Sequence, residues 1–305
     1  MPRRELIDRW RTRDGVASAR EILRRLADGS SLRGLGLPTV DGLLDLRGIR
    51  AGGLAAHGVE IAGVDLSYSS LSEARLDGVR WSRCRFDGAD LSAAVFIGGS
   101  IAESTMRRTD LRETLVADAD WESVDLVGIK SNHFAAERTT FTRSTFPALV
   151  KVDFTGCSFD DCRFTGGLSE VRFLGRGQDS ESVPAVLRNV TFSSDDFRYA
   201  EFDGMDFENV LFPESDSLIV VPQRFRAVAE RASTISSSRG DDLGKAFRRF
   251  LSRESLRPGL SETAGWVVGR RDLTDDHPNG QELAESAART LNEAQEQLRT
   301  EGVVP

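Results

Sequence analysis

Reactive side chains are scarce in this chain. Its 305 residues include only three cysteines, three histidines, three methionines and two tyrosines. A small, odd cysteine count argues against a disulfide framework. Cys157 and Cys162 stand five apart and lack the C-x-x-C spacing of a zinc or redox pair; with Cys84 they are expected to be buried thiols serving as small apolar groups. His57, His133 and His277 are widely separated and match no metal-ligand spacing, so no metal or other cofactor is expected. No apolar stretch approaches the roughly 18 to 20 residues of a membrane span, and Met1-Pro2-Arg3-Arg4-Glu5 is not followed by a signal-peptide core. A cytoplasmic protein with no membrane partner is the expectation. Cations are also in deficit, 40 against 48 acidic residues, for a formal net charge of −8. The deficit is local: residues 1–33 carry nine basic and five acidic groups, residues 41–216 carry 18 and 30, and residues 217–305 carry 13 and 13. Phosphate contacts need clustered cations, so direct nucleic-acid binding by the central segment is not expected.

What the chain has instead is a period. Every fifth residue from Leu46 to Phe146 is apolar, through Ile61, Leu66, Trp81, Phe86, Met106, Trp121 and Phe141, with Ser131 the single exception among 21 positions. A step of five advances about 140° beyond a full helical turn, so these side chains form no stripe on a helix. Two residues before each member stands another uncharged, usually small residue, such as Val64, Ala74, Cys84, Ala89 or Thr109. Residues two apart in extended chain face the same side. Each pentad therefore points two side chains inward and then turns a corner, leaving three positions free to be polar. Four such corners close a square, giving coils of about twenty residues stacked at roughly 4.8 Å. The inward columns then read Leu46, Leu66, Phe86, Met106, Leu126, Phe146 and Ile61, Trp81, Ile101, Trp121, Phe141. Where the central residue is small its partner is large, as in Phe134 before Ala136, which predicts a filled interior and no ligand channel.

Units such as Val64-Asp65-Leu66-Ser67-Tyr68, Ala89-Asp90-Leu91-Ser92-Ala93 and Ala119-Asp120-Trp121-Glu122-Ser123 resemble the A-(D/N)-L-x-x motif of the pentapeptide-repeat proteins. The resemblance covers residues 41 to about 214 and implies a right-handed quadrilateral β-helix, a mainly β fold. Three parts are expected: an N-terminal helical cap (1–40), the pentapeptide-repeat β-helix (41–216) of roughly seven coils with a loop excursion at 174–188, and a C-terminal helical region (217–305). The phase slips near Pro147, where a loop is expected, and resumes at Phe154, Phe159 and Phe164. In the cap, Ser18-Ala19-Arg20-Glu21 reads as a capping box opening a helix that ends at Gly29, after a shorter helix within Arg3 to Arg13. Beyond Pro222, helical spacing appears at Phe225, Val228, Ala229 and Ala232, at Leu243, Phe247, Phe250 and Leu251, and over Gly280 to Thr300.

No nucleophile with a plausible base emerges, so a non-enzyme is expected. Gly34-Leu35-Gly36 lacks a dinucleotide-binding context, and Asp275-Asp276-His277 reads as a polar loop. The outward aspartates Asp65, Asp90, Asp110, Asp120 and Asp125 are expected to accept local backbone hydrogen bonds. The leading functional reading is a protein-interaction scaffold. The family resemblance implies a second, a DNA-mimicking modulator or protector of DNA gyrase, a type II topoisomerase, conferring antibiotic or toxin resistance. On either reading the candidate partner-binding residues are the acidic Asp195, Asp196, Glu201, Asp203, Asp206 and Glu208, and Arg176, Gln178, Asp179 and Glu181 of the excursion. A third reading confines an effector or enzymatic activity to residues 217–305, where a concave pocket holding Trp266, Arg270 and Asp275 would favour it.

Overall fold

The computed structural model describes residues 2–175, 185–238, 240–256, 262–274 and 279–304. The period of five becomes a square coil with four faces. Inward on the first face are Leu46, Leu66, Phe86, Met106, Leu126, Phe146, Phe164, Phe192 and Phe212; the second face carries Leu71, Leu91, Leu111, Ser131, Leu149, Leu168 and Phe197. The third and fourth faces are parallel sheets. Strands Ala55–His57, Arg75–Asp77, Val95–Ile97 and Leu115–Ala117 open the third, and the fourth has eight strands from Glu60–Ala62 to Asp206–Glu208. The solenoid thus has about eight turns, one more than the period suggests, because Leu187 continues the fourth face between Phe159 and Phe207.

Each corner is made by one residue in left-handed backbone, two positions after the inward residue. Glycine holds that place at Gly58, Gly78 and Gly98, while Tyr68, Glu113 and His133 adopt the same positive φ at a cost of roughly 1 kcal/mol each. On the first two faces the corner closes with a backbone hydrogen bond, as from Ser69 to Leu66 at 3.1 Å and Ala89 to Phe86 at 2.9 Å. Only the second central residue has positive φ, so these are type II turns. Asp45, Asp65, Asp90, Asp110 and Asp125 sit before these turns, and each accepts the N–H two residues on, at 2.9 to 3.3 Å. Asp120 differs from this expectation: it lies in a strand, Asp120–Glu122, whose backbone pairs with the coils on either side. Asp65 is not outward either, being fully buried under Arg85.

The interior is solid. Along the first face Phe146, Phe164, Phe192 and Phe212 stack at centroid distances of 4.7, 4.8 and 5.0 Å. Phe154, Phe173 and Phe202 do so on the third face at 5.1 and 4.7 Å. The ring spacing equals the strand spacing, so identical residues one coil apart stack without a gap. Small inward polar residues satisfy backbone carbonyls: Thr109 and Thr114 donate to Phe86 and Leu91 at 2.7 and 2.8 Å.

The slip near Pro147 is not a loop. The coil from Phe146 to Phe164 is two residues short of twenty, and Leu149 takes the second-face place that a strict period would give to residue 151. The excursion is also narrower than 174–188. Leu174 ends strand Leu168–Leu174, and Val186–Arg188 is a fourth-face strand; residues 176–184, with Arg176, Gln178, Asp179 and Glu181, lie outside the described residues.

At the N-terminus, α1 (Arg3–Asp8) and a single 3-10 turn (Arg9–Arg11) precede α2 (Arg13–Asp28). Thr12, not Ser18, caps α2, accepting from Gly15 N–H at 3.0 Å. A Cβ on Gly15 would fall 2.0 Å from the Arg9 carbonyl oxygen, so the helix starts where glycine permits the close approach. It ends at Gly29, with φ 73°. Ile22 and Leu26 close the bottom of the solenoid, and Arg9 clamps Asp45 with two hydrogen bonds of 2.8 and 2.9 Å.

The C-terminal end holds α3 (Phe225–Ser237), α4 (Asp242–Ser255), α5 (Arg270–Thr274) and α6 (Gly280–Thr300). Helical spacing misses the antiparallel ribbon that joins them to the coil, Leu218–Val221 with Trp266–Gly269. Its side chains alternate. Leu218, Val220 and Val267 enter the solenoid core, while Ile219, Val221, Trp266 and Val268 enter the helical core. One ribbon thereby serves as a wall of both.

Candidate interaction surfaces

A filled interior leaves outer faces and appendages as the surfaces available for recognition. Charges on the faces are largely matched between neighbouring coils. Arg80 meets Glu60, Arg138 meets Asp118, Arg172 meets Asp153 and Arg188 meets Glu208, each about one coil apart in sequence. Hydrogen bonds from Arg138 hold the Asp118 carboxyl below its usual range. At Asp110 burial opposes ionisation, and hydrogen bonds from Arg112 and Lys130 outweigh it. Exposed pairs of this kind contribute little stability, roughly 0 to 1 kcal/mol, but they offset part of the rod's negative field. Duplex DNA presents one charge per about 1.7 Å. A net −12 along about 38 Å of solenoid is one per roughly 3 Å, and the pairing distributes both signs over the surface.

The acidic residues 195–216 do not share one surface. Asp195 and Asp196 lie at the second face, Glu201 and Asp203 flank Phe202 on the third, and Asp206 and Glu208 flank Phe207 on the fourth. Most are engaged by their own chain. Ser215 Oγ donates to Asp195 and lowers its pKa, Arg198 pairs with Asp196 at 3.1 Å, and Thr263 Oγ1 donates to Asp206 at 2.6 Å. Glu208 pairs with Arg188 at 2.6 Å.

Between the last coil and the helices lies a cavity of about 130 Å³ walled by Tyr199, Phe202, Phe250, Glu254 and Trp266. Trp266 stacks flat on Phe225 at 4.7 Å, and its Nε1 reaches Glu254 at 3.5 Å. Arg270 lines a separate recess with Asp195, Asp196 and Asp216. The two residues therefore do not share a pocket, and Asp275 and His277 lie outside the described residues. Among the described residues no group of three or more His, Cys, Asp or Glu side chains is placed to hold a metal ion. The three cysteines are free and buried; burial pushes Cys84 and Cys162 up to about 11 and Cys157 up to about 12. His57 Nδ1 lies 2.8 Å from Asp77 one coil away, and His133 is a left-handed corner.

The family of pentapeptide repeats matches residues 61–99 and 69–108, as eight copies. This is a pentapeptide-repeat protein. Among solved structures, the pentapeptide-repeat chain is similar to HetL, a pentapeptide repeat protein involved in heterocyst differentiation regulation from Nostoc sp. strain PCC 7120. The two are 20% identical with a TM-score of 0.29, over 63% of this chain and 91% of that one. QnrB1, a plasmid-mediated fluoroquinolone resistance protein, is 16% identical with a TM-score of 0.32, over 55% of this chain and 81% of that one. The pentapeptide repeat protein Rfr23 from Cyanothece 51142 is 14% identical with a TM-score of 0.28, over 36% and 67%. No curated protein matches the sequence. Among the described residues no helix is long and apolar enough to cross a membrane.

One feature of the repeats escapes the sequence reading. Beside Phe96, Val116 and Ala136 on the third face stand Val95, Ile97, Leu115, the buried Ala117, Ala135 and the charged Glu137, where neighbouring pentads carry Arg75, Asp77 and Asp153. The signal was present as three successive third-face pentads with apolar residues in positions that elsewhere take charge.

Proposed function

We propose that this protein is a non-catalytic protein-interaction scaffold. The observation that carries the reading is the aromatic stacking inside the coil, with rings 4.7 to 5.0 Å apart along the first face, which leaves no lumen for a substrate. Residues with chemical potential have structural duties: aspartates close turns, and burial raises the thiols. Recognition is left to the flat faces and to the helical unit held by the ribbon.

Gyrase modulation by DNA mimicry is the competing reading, and the matched charges between coils and the dispersed carboxylates of residues 195–216 count against it. A supercoiling assay with purified protein, alone and with a quinolone, separates the two. The scaffold reading expects neither inhibition nor protection at micromolar protein; either effect would replace it with the topoisomerase reading. In the native host, crosslinking is expected to join a protein partner to outward pentad positions or to residues 217–305. Turnover of a small molecule by the purified chain would overturn the non-catalytic assignment.

A further inference from the structure

The cap closes the core at the bottom of the solenoid but leaves one strand edge open. In the second coil of the fourth face, Arg80 N–H donates downward to the Val59 carbonyl at 2.9 Å, and the Ser82 carbonyl accepts from Gly63 N–H below it at 3.0 Å. The parallel register sets Glu60 beneath Arg80 and Ala62 beneath Ser82, so the N–H and C=O groups of Glu60 and Ala62 point downward as well. Glu60–Ala62 is the first strand of that sheet, and among the described residues these groups have no hydrogen-bond partner. Other edges are served by the cap: strand Thr39–Val40 pairs antiparallel with Leu43–Asp45 on the first face, and α2 packs against Ala55–His57 on the third. Under Glu60–Ala62 there is instead a slot of about 180 Å³, between the edge and the chain that leaves α2. Leu26, Leu32 and Leu44 give it apolar walls, and Arg25 and Arg33 supply cations. Arg33 makes no ion pair among the described residues, whereas the Glu60 carboxylate is taken by Arg80.

We propose that this edge docks an extended acidic segment of a partner protein, which joins the fourth-face sheet as one further strand about 4.8 Å below Glu60–Ala62. A row of unpaired backbone donors and acceptors is complemented by another extended backbone. The strand Thr39–Val40 shows that the bottom of this solenoid accepts such an addition on a neighbouring face. Alternation then fixes the side chains: one in line with Ile61 faces the leucines and is apolar, and those on either side of it, outward below Glu60 and Ala62, are acidic to match Arg25 and Arg33. Residues 1–33 carry nine basic against five acidic groups, so the bottom of the rod attracts such a segment while the acidic coils repel it elsewhere. With one short strand on offer, the association is weak and reversible. This docking rests on the scaffold reading, to which it adds a surface and a partner chemistry.

A capped peptide of about seven residues, alternating valine and glutamate, is the probe. Titrated into the full chain up to about 1 mM, it is expected to bind saturably and to slow exchange of the Glu60 and Ala62 amide hydrogens at least tenfold, read by NMR. N-methylation of one alternate set of its amides is expected to abolish binding and of the other set to preserve it, because a docked strand bonds along one edge only. Lysine in place of glutamate is expected to weaken binding at least tenfold. Ala62→Pro removes a free N–H at an edge position where proline is tolerated, and is expected to abolish binding with the thermal melt unchanged. Arg33→Glu, in an exposed turn, serves if the proline variant fails to fold; it is expected to weaken the glutamate peptide at least tenfold and to spare the lysine peptide. No saturable binding, equal loss from both methylated sets, indifference to Ala62→Pro and Arg33→Glu, or self-association of the chain that Ala62→Pro abolishes would overturn the docking site. The scaffold reading falls only to the supercoiling and turnover assays.

Discussion

Ser131 interrupts an otherwise apolar series, and its surroundings explain why. It is 4% exposed, and its Oγ accepts the Val150 N–H at 3.2 Å, at the coil where the second face loses two residues. In other second-face coils the equivalent N–H goes to the aspartate two residues back, as at Ser92 and Arg112; here that place is Ala148, and the Ser131 hydroxyl supplies the acceptor. Ser131→Ala is therefore expected to cost about 1 kcal/mol, the net contribution of one part-buried hydrogen bond, even though it restores an apolar column. Denaturant unfolding measures this; a neutral or stabilising effect would show that the hydrogen bond is dispensable. The exception to the period was visible in the sequence, but its cause was not, because Ser131 and Val150 meet only across the coil.

Among the elements, the helices at both ends were legible from apolar spacing, and α6 begins and ends where the spacing placed it. The start of α2 was missed because Ser18 and Glu21 fit a capping box, whereas Thr12 follows a tight turn packed on the solenoid. That junction makes a prediction about pH. Burial disfavours the charged form of Asp45, but hydrogen bonds from Arg47 and Arg9 outweigh it and hold the carboxyl well below the ordinary range. A lowered folded pKa gives stability that is present above the unfolded value of about 3.9 and lost as pH falls below it. Melts recorded from pH 6 down to 2 are expected to show the cap loosening below about pH 4. Asp45→Asn is expected to lose about 2–3 kcal/mol at pH 7, the scale of charge-assisted hydrogen bonds, and to flatten the acid dependence. An unchanged acid slope in that variant would assign the effect to other carboxylates.

Taken whole, the molecule is a rod whose two ends are closed differently. The bottom is covered by helix side chains, Ile22 and Leu26, whereas the top is closed by a ribbon shared between two cores. Gly265 lies against the Phe207 ring so closely that a Cβ would fall 2.3 Å from it, which shows how tightly the ribbon seats on the last coil. Deleting residues 217–305 is expected to expose Phe207, Phe212 and the unpaired strands of that coil and to drive aggregation. Size-exclusion chromatography with light scattering checks this; a well-behaved monomer would mean that the solenoid needs no such lid. The acidic stretch also changes meaning at this scale, since a cluster along the chain is spread over three faces once the chain turns a corner every five residues.

By itself the sequence determined the coil, because a period of five admits one compact arrangement: inward columns, four corners and a filled centre, all properties of residues close along the chain. Only the tertiary structure decided the shortened turn at Leu149, the ribbon that joins the helices to the coil, the dispersal of residues 195–216 and the alignment of apolar residues on the third face. Each of these depends on residues about twenty or more positions apart, brought together by stacking at one strand spacing. A local pattern specifies that stacking repeats, but not which outward side chains it aligns.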